Sequence, residues 1–177
     1  MKKVALSLMA CLFILAGCSS DNEEDDIIFD FINYSIHILV TDASGNNLLD
    51  PKNDANILDE KIKVIYGDKT FERLEPGQPD TRYNMPKPLA LRTSSVQYAN
   101  APSTQILLAF GEFSPTSNYH DASFKIQWED GSEDTIKFDL YTVWKSKNDP
   151  VVHSKYYLNG KEWTASTPIT IVRQKVR

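Results

Sequence analysis

Three histidines, His37, His120 and His153, are the first side chains to examine for chemistry. An imidazole beside an activated serine or a metal ion is a common catalytic centre. No G-x-S-x-G elbow accompanies them, and no two stand at the H-x-H or H-x3-H spacing of a zinc site. His37 falls on the polar side of an alternating segment and is expected in solvent. His120 falls in a loop over 114–121, and His153 near the start of a strand. No catalytic residue is expected among them.

The acids offer a different chemistry. Glu129, Asp130, Glu133 and Asp134 crowd one Asp-Gly turn, an oxygen density that suits a hard cation such as calcium. The order D-x-[DN]-x-[DN]-G is missing, and a solvated hairpin tip accounts for the same residues. Asp42, Asn46 and Asp50 form a weaker set of the same kind. Neither metal nor cofactor is expected.

The aromatics remain. Trp128, Tyr141, Trp144, Tyr156, Tyr157 and Trp163 lie in the last third of the chain. Strand alternation puts Trp128 and Trp144 on core faces. It turns Tyr141 outward, together with one of Tyr156 and Tyr157. Those three tyrosines are the candidate contacts for a glycan or protein ligand, set against ordinary cross-strand packing.

Lys2 and Lys3 precede an apolar run over 4–16, too short to cross a bilayer as a helix. The run closes on Leu15-Ala16-Gly17-Cys18. This tetrapeptide, so placed, resembles the lipobox of bacterial lipoproteins. The resemblance implies that residues 1–17 are a cleaved signal peptide and that Cys18 is the lipid attachment site, diacylglyceryl-modified and then N-acylated. Each buried methylene contributes about 0.8 kcal/mol, so several chains anchor firmly. Cys11 lies in the leader, which leaves no thiol pair for a disulfide or a cysteine metal site. Residues 18–28 read as an acidic tether, carrying Asp21, Glu23, Glu24, Asp25 and Asp26. Acids directly after a lipidated cysteine resemble the export signal of Bacteroidota-type lipoproteins. That implies the outer membrane with the domain facing the cell exterior; the periplasmic face is the alternative. Asp134-Thr135-Ile136 resembles the D-[ST]-aliphatic acceptor of O-glycosylation in the same bacteria, which makes Thr135 a candidate glycan attachment site.

The chain has 177 residues, 19 basic and 24 acidic. Removing the leader costs two lysines, and five of the acids belong to the tether. The remaining domain, residues 29–177, is close to neutral. A nucleic-acid ligand is excluded, because phosphate neutralisation needs a basic surplus.

The body must be strands. Residues 32–40 alternate Ile32, Tyr34, Ile36, Ile38 and Val40 against polar partners. Further strands are expected at 61–66, 69–74, 89–93, 104–110, 124–129, 135–144, 151–158, 161–164 and 169–172. The 104–110 segment is apolar on both faces and therefore central. Gly67-Asp68, Asp130-Gly131 and Asn159-Gly160 are hairpin turns. Asp50-Pro51 allows one helical turn, and four prolines over 75–88 mark a long loop. The expected fold is all-β, an immunoglobulin-like antiparallel β-sandwich of about seven to nine strands, with a β-barrel as the alternative. Residues 34–51 also resemble the opening of small Bacteroidota-type lipoproteins, which implies the same sandwich.

The expected function is a lipid-anchored, non-catalytic binding or interaction module. The alternatives are a structural subunit of an envelope assembly and a hydrolase on the same scaffold. The hydrolase would show a cleft with two acids, or a histidine of shifted pKa.

Overall fold

In the computed structural model the described residues are 31–74, 89–98, 104–164 and 168–174. The chain divides between Asp30 and Phe31. The leader, Cys18 and the acidic tether precede that point and lie outside the described residues, as does the proline-rich stretch 75–88.

Alternating apolar positions produce ten strands: β1 (Tyr34–Thr41), β2 (Lys63–Tyr66), β3 (Lys69–Glu72), β4 (Ala90–Val96), β5 (Gln105–Phe113), β6 (Tyr119–Gln127), β7 (Glu133–Trp144), β8 (Pro150–Leu158), β9 (Lys161–Trp163) and β10 (Ile169–Val172). They form a four-stranded sheet in the order β10-β1-β5-β4 and a six-stranded sheet in the order β3-β2-β6-β7-β8-β9. The two sheets do not close on themselves, so the fold is the expected all-β sandwich and not the barrel. Two details differ from expectation. The ten strands among the described residues match the ten segments marked in the sequence but exceed the count of seven to nine by one, and β10 runs parallel to β1, with Ile38 opposite Ile169. Every other pairing between these named strands is antiparallel.

The core follows the alternation. Ile36, Ile38 and Val40 from β1 meet Phe124 and Ile126 from β6 and Ile136, Phe138 and Leu140 from β7, all buried. β5 is central and buried on both faces, as its composition requires. It carries a break in the pattern, as β6 does between Tyr119 and Ala122. Phe110 and Phe113 stand three apart, so a regular strand would point them to opposite faces. Glu112 is an extra residue against β1, where Ser35 pairs Gly111 and Tyr34 pairs Phe113. Its φ of +102° is one that L side chains rarely adopt. The bulge resets the parity, and both phenylalanines face the core. Phe110 lies 4.9 Å from Phe124, and Phe113 lies 4.7 Å from Phe138, ring centre to ring centre. On the other side of the sheet Glu112 pairs Arg92 of β4 at 3.1 Å, with both side chains more than four-fifths covered.

Some sequence expectations fail for local reasons. Ile32 precedes β1 and is 82% exposed. The helical turn at Asp50-Pro51 is absent. Instead Asn47, Asp50, Asn53 and Asn56 each accept the backbone N–H two residues on, at 2.8–3.2 Å. Side chains that satisfy the backbone in this way compete with a helix. The resulting chain of turns buries Leu48, Leu49 and Ile57 at one end of the sandwich. Trp144 continues the core parity of β7 but is 49% exposed, packed edge-on against Phe31 at 6.0 Å.

The bulge yields a stability prediction. A Cβ on Gly111 would stand 2.5 Å from both the Ser35 Cα and the Tyr34 carbonyl oxygen. Backbone cannot retreat as a side-chain tip can, so Gly111→Ala should cost about 1–3 kcal/mol. A urea midpoint for Gly111→Ala equal to that of the parent would refute the close packing.

Candidate functional site

The acidic turn is occupied by the protein's own donors. Glu129 accepts the Lys61 N–H at 3.1 Å, and Glu133 pairs Lys125 at 2.8 Å. Asp134 accepts the Trp128 indole N–H at 2.8 Å and the Asn159 amide at 2.7 Å. Asp130 pairs Arg173 at 2.7 Å, and the Ser132 hydroxyl and amide hold its carboxyl below the usual range. The Arg173 guanidinium lies 4.4 Å over the Trp128 ring. The oxygen density expected at this turn is therefore taken up by the protein's own donors, with Arg173 reaching both Asp130 and Asp134. Asp42 is used similarly, taking N–H bonds from Ser44 and from both the backbone and side chain of Asn46. Among the described residues no group of three histidine, cysteine or acidic side chains could hold a metal ion. Thr135 sits half-buried in β7 opposite Lys125, its N–H bonded to Asn159.

The tyrosines separate. Tyr141 and Tyr157 lie on the outer face of the six-stranded sheet, and neither ring is bare. Tyr141 stands between His153, stacked at 5.3 Å and 11°, and His120 at 4.7 Å. Two histidines that are distant in sequence thus meet across one tyrosine. His120 is brought there because β6 begins earlier than expected, with a bulge between Tyr119 and Ala122. Tyr157 lies between Lys137 and Lys155, each ammonium 5.1 Å from its ring centre. Lys155 also bonds the Tyr157 hydroxyl and Glu162, which push its pKa above the ordinary lysine value.

Tyr156 faces inward, packed against the core edge beside Trp163 of β9. Here the six-stranded sheet and the β10–β1 side of the smaller one border an open cleft of about 580 Å³. Its wall includes Tyr156 and Trp163 on one side, and Ser35, His37 and Ile169 on the other. Tyr98, just past β4, completes it and changes the expectation for His37. His37 is half-buried, not solvent-exposed. Its Nδ1 is 3.1 Å from the Tyr98 hydroxyl, and the two rings meet edge to face at 6.5 Å. Burial lowers the His37 pKa, which keeps the ring neutral at pH 7. The charged residues bordering the cleft, Lys155 and Glu162, are joined to each other at 2.9 Å. The cleft therefore has aromatic walls, hydroxyls from Ser35, Ser154 and Tyr98, and a balanced charge. Its size is that of a small-molecule site.

No protein-family model matches the chain, and no curated protein and no solved structure matches it either.

A pH dependence follows from His37. Its folded pKa lies below the ordinary 6.5. The unfolded chain therefore takes the proton first, and stability is lost as pH falls below about 6.5 toward the folded value. The depressed carboxylates Asp42, Asp121 and Asp130 act lower, from about their ordinary 3.8 downward. Urea titrations from about pH 7 to pH 5 should show His37→Gln losing less stability than the parent. Parallel curves would mean that His37 is not desolvated.

Proposed function

We propose that the protein is an outer-membrane lipoprotein, anchored through Cys18 and turned to the cell exterior, whose sandwich is a non-catalytic binding module for a neutral glycan. The lipobox-like Leu15-Ala16-Gly17-Cys18 and the acids after it support the anchor and its side of the membrane. The cleft supports the ligand. Tyr98, Tyr156 and Trp163 supply apolar surface for the C–H face of a sugar ring, and hydroxyls with a neutral imidazole supply hydrogen bonds. Among the described residues that line it, the one cation and the one acid are paired with each other, which favours an uncharged ligand. The outer face suits a ligand less well, because each tyrosine there is already flanked by side chains.

One observation favours the hydrolase alternative. His37, with a lowered pKa, shares the cleft with Ser35 and Ser154. The reading stays non-catalytic because Nδ1 is engaged by Tyr98 rather than by an orienting carboxylate, and Glu162 is held by Lys155.

Binding is tested on the full-length protein in a sugar-free detergent, with an array of neutral and anionic oligosaccharides followed by calorimetry. Neutral glycans should be retained. Trp163→Ala should weaken binding at least tenfold, about 1.4 kcal/mol, while Tyr141→Ala leaves it unchanged. The opposite pattern would move the site to the outer face, and turnover of the glycan would establish the hydrolase. The anchor has its own test. An alkynyl palmitate fed to expressing cells should label the protein, and Cys18→Ala should abolish the label; labelling that persists would refute acylation at Cys18.

A further inference from the structure

The described domain begins at the end of the sandwich where β7 turns into β8, and large apolar side chains are exposed there. Phe31 packs on Trp144 at 6.0 Å. Ile32 next to it is 82% exposed, and Val143 and Trp144 are 43% and 49% exposed. These are three of the five large hydrophobic residues exposed among the described ones. Exposed apolar residues scattered singly are ordinary, whereas a cluster at one end marks a contact. Lys145 follows in the turn, where its N–H bonds the Asp149 carbonyl at 2.9 Å. A tryptophan with aliphatic neighbours and an adjacent lysine has the composition of a membrane–water boundary, where the indole lies at headgroup depth and an ammonium group meets phosphate.

We infer that this end of the sandwich, built from Phe31, Ile32, Val143 and Trp144, lies on the lipid headgroup layer of the membrane that holds the anchor. The inference rests on the proposed acylation of Cys18. Phe31 stands thirteen positions after Cys18, and even fully extended that stretch spans roughly 45 Å. The chain enters the described domain within this patch, so an anchor at Cys18 keeps it close to the bilayer at all times. A second, weak attachment then suffices, because the first makes it intramolecular. Contact at this end would also fix which way the rest of the sandwich faces.

The test uses the full-length acylated protein in phosphatidylcholine vesicles whose acyl chains carry bromine, a short-range quencher of tryptophan. Flotation with the vesicles reports the anchor, and quenching reports the contact. The protein should float with its emission quenched. Trp144→Phe should float and lose most of the quenching, since Trp128 is buried in the core and Trp163 pairs Tyr156, six residues along β8 from the partner of Trp144. Ile32→Glu, at a site too exposed to affect folding, should float with quenching reduced at least twofold. A protein that floats without quenching, or a Trp144→Phe variant quenched as strongly as the parent, would overturn the contact and leave the anchor standing. A parent that does not float would overturn the anchor and the contact together.

Discussion

The parity break at Glu112 joins the two sheets. Without the extra residue β5 could send only one of Phe110 and Phe113 into the core. With it, both rings enter from the small sheet and meet Phe124 and Phe138 from the large one. Tyr66, Phe71 and Tyr119 close around the same pair at 5.3–6.1 Å. Such aromatic contacts contribute beyond their buried area, by about 0.5–1.5 kcal/mol per pair. The cost is a glutamate in an unfavourable backbone region. Two features hold it there: Gly111 lets β1 approach closely, and Arg92 pairs the carboxylate on the far side. A residue held in such a conformation persists only where its surroundings determine it.

The cleft is a consequence of joining sheets of unequal width. The small sheet has four strands and the large one six. β10 pairs β1 only from Ile38 onward, which leaves residues 34–37 without it. On the opposite side β8 and β9 extend the large sheet, and their inward residues Tyr156 and Trp163 are only partly covered. Inward-facing aromatics at an overhang remain reachable, and the adjoining segment after β4 adds Tyr98. Among the described residues the cleft thus follows from the overhang of the larger sheet.

Much of this architecture was legible in the chain. Period-two alternation locates β1, β6 and β7, and Asn159-Gly160 marks the β8–β9 hairpin, with φ of +51° and +81°. The bulge was not legible, because Gly111-Glu112 looks like any interior pair and the register shift exists only against β1. The turns over 47–58 did leave a trace, an Asn or Asp at every third position, 47, 50, 53 and 56. Proline at 51 suggested a helix start instead. The cleft was not legible. Tyr156 was a candidate contact as a ring that could face outward, whereas it faces inward, and Tyr98 is joined to His37 across 61 residues, a bond that no local pattern announces. Trp144 shows the limit of alternation, since parity says which way a side chain points and not whether anything lies there to cover it.

The central claim is that a neutral sugar sits against the inward aromatics of the overhang. Intermolecular nuclear Overhauser contacts between an oligosaccharide selected from the array and the isotope-labelled full-length protein test this most directly. Cross-peaks from the sugar C–H protons to the Tyr156 and Trp163 rings are the predicted result. Cross-peaks to Tyr141 and Tyr157 in their place, or to none of these rings, would contradict it.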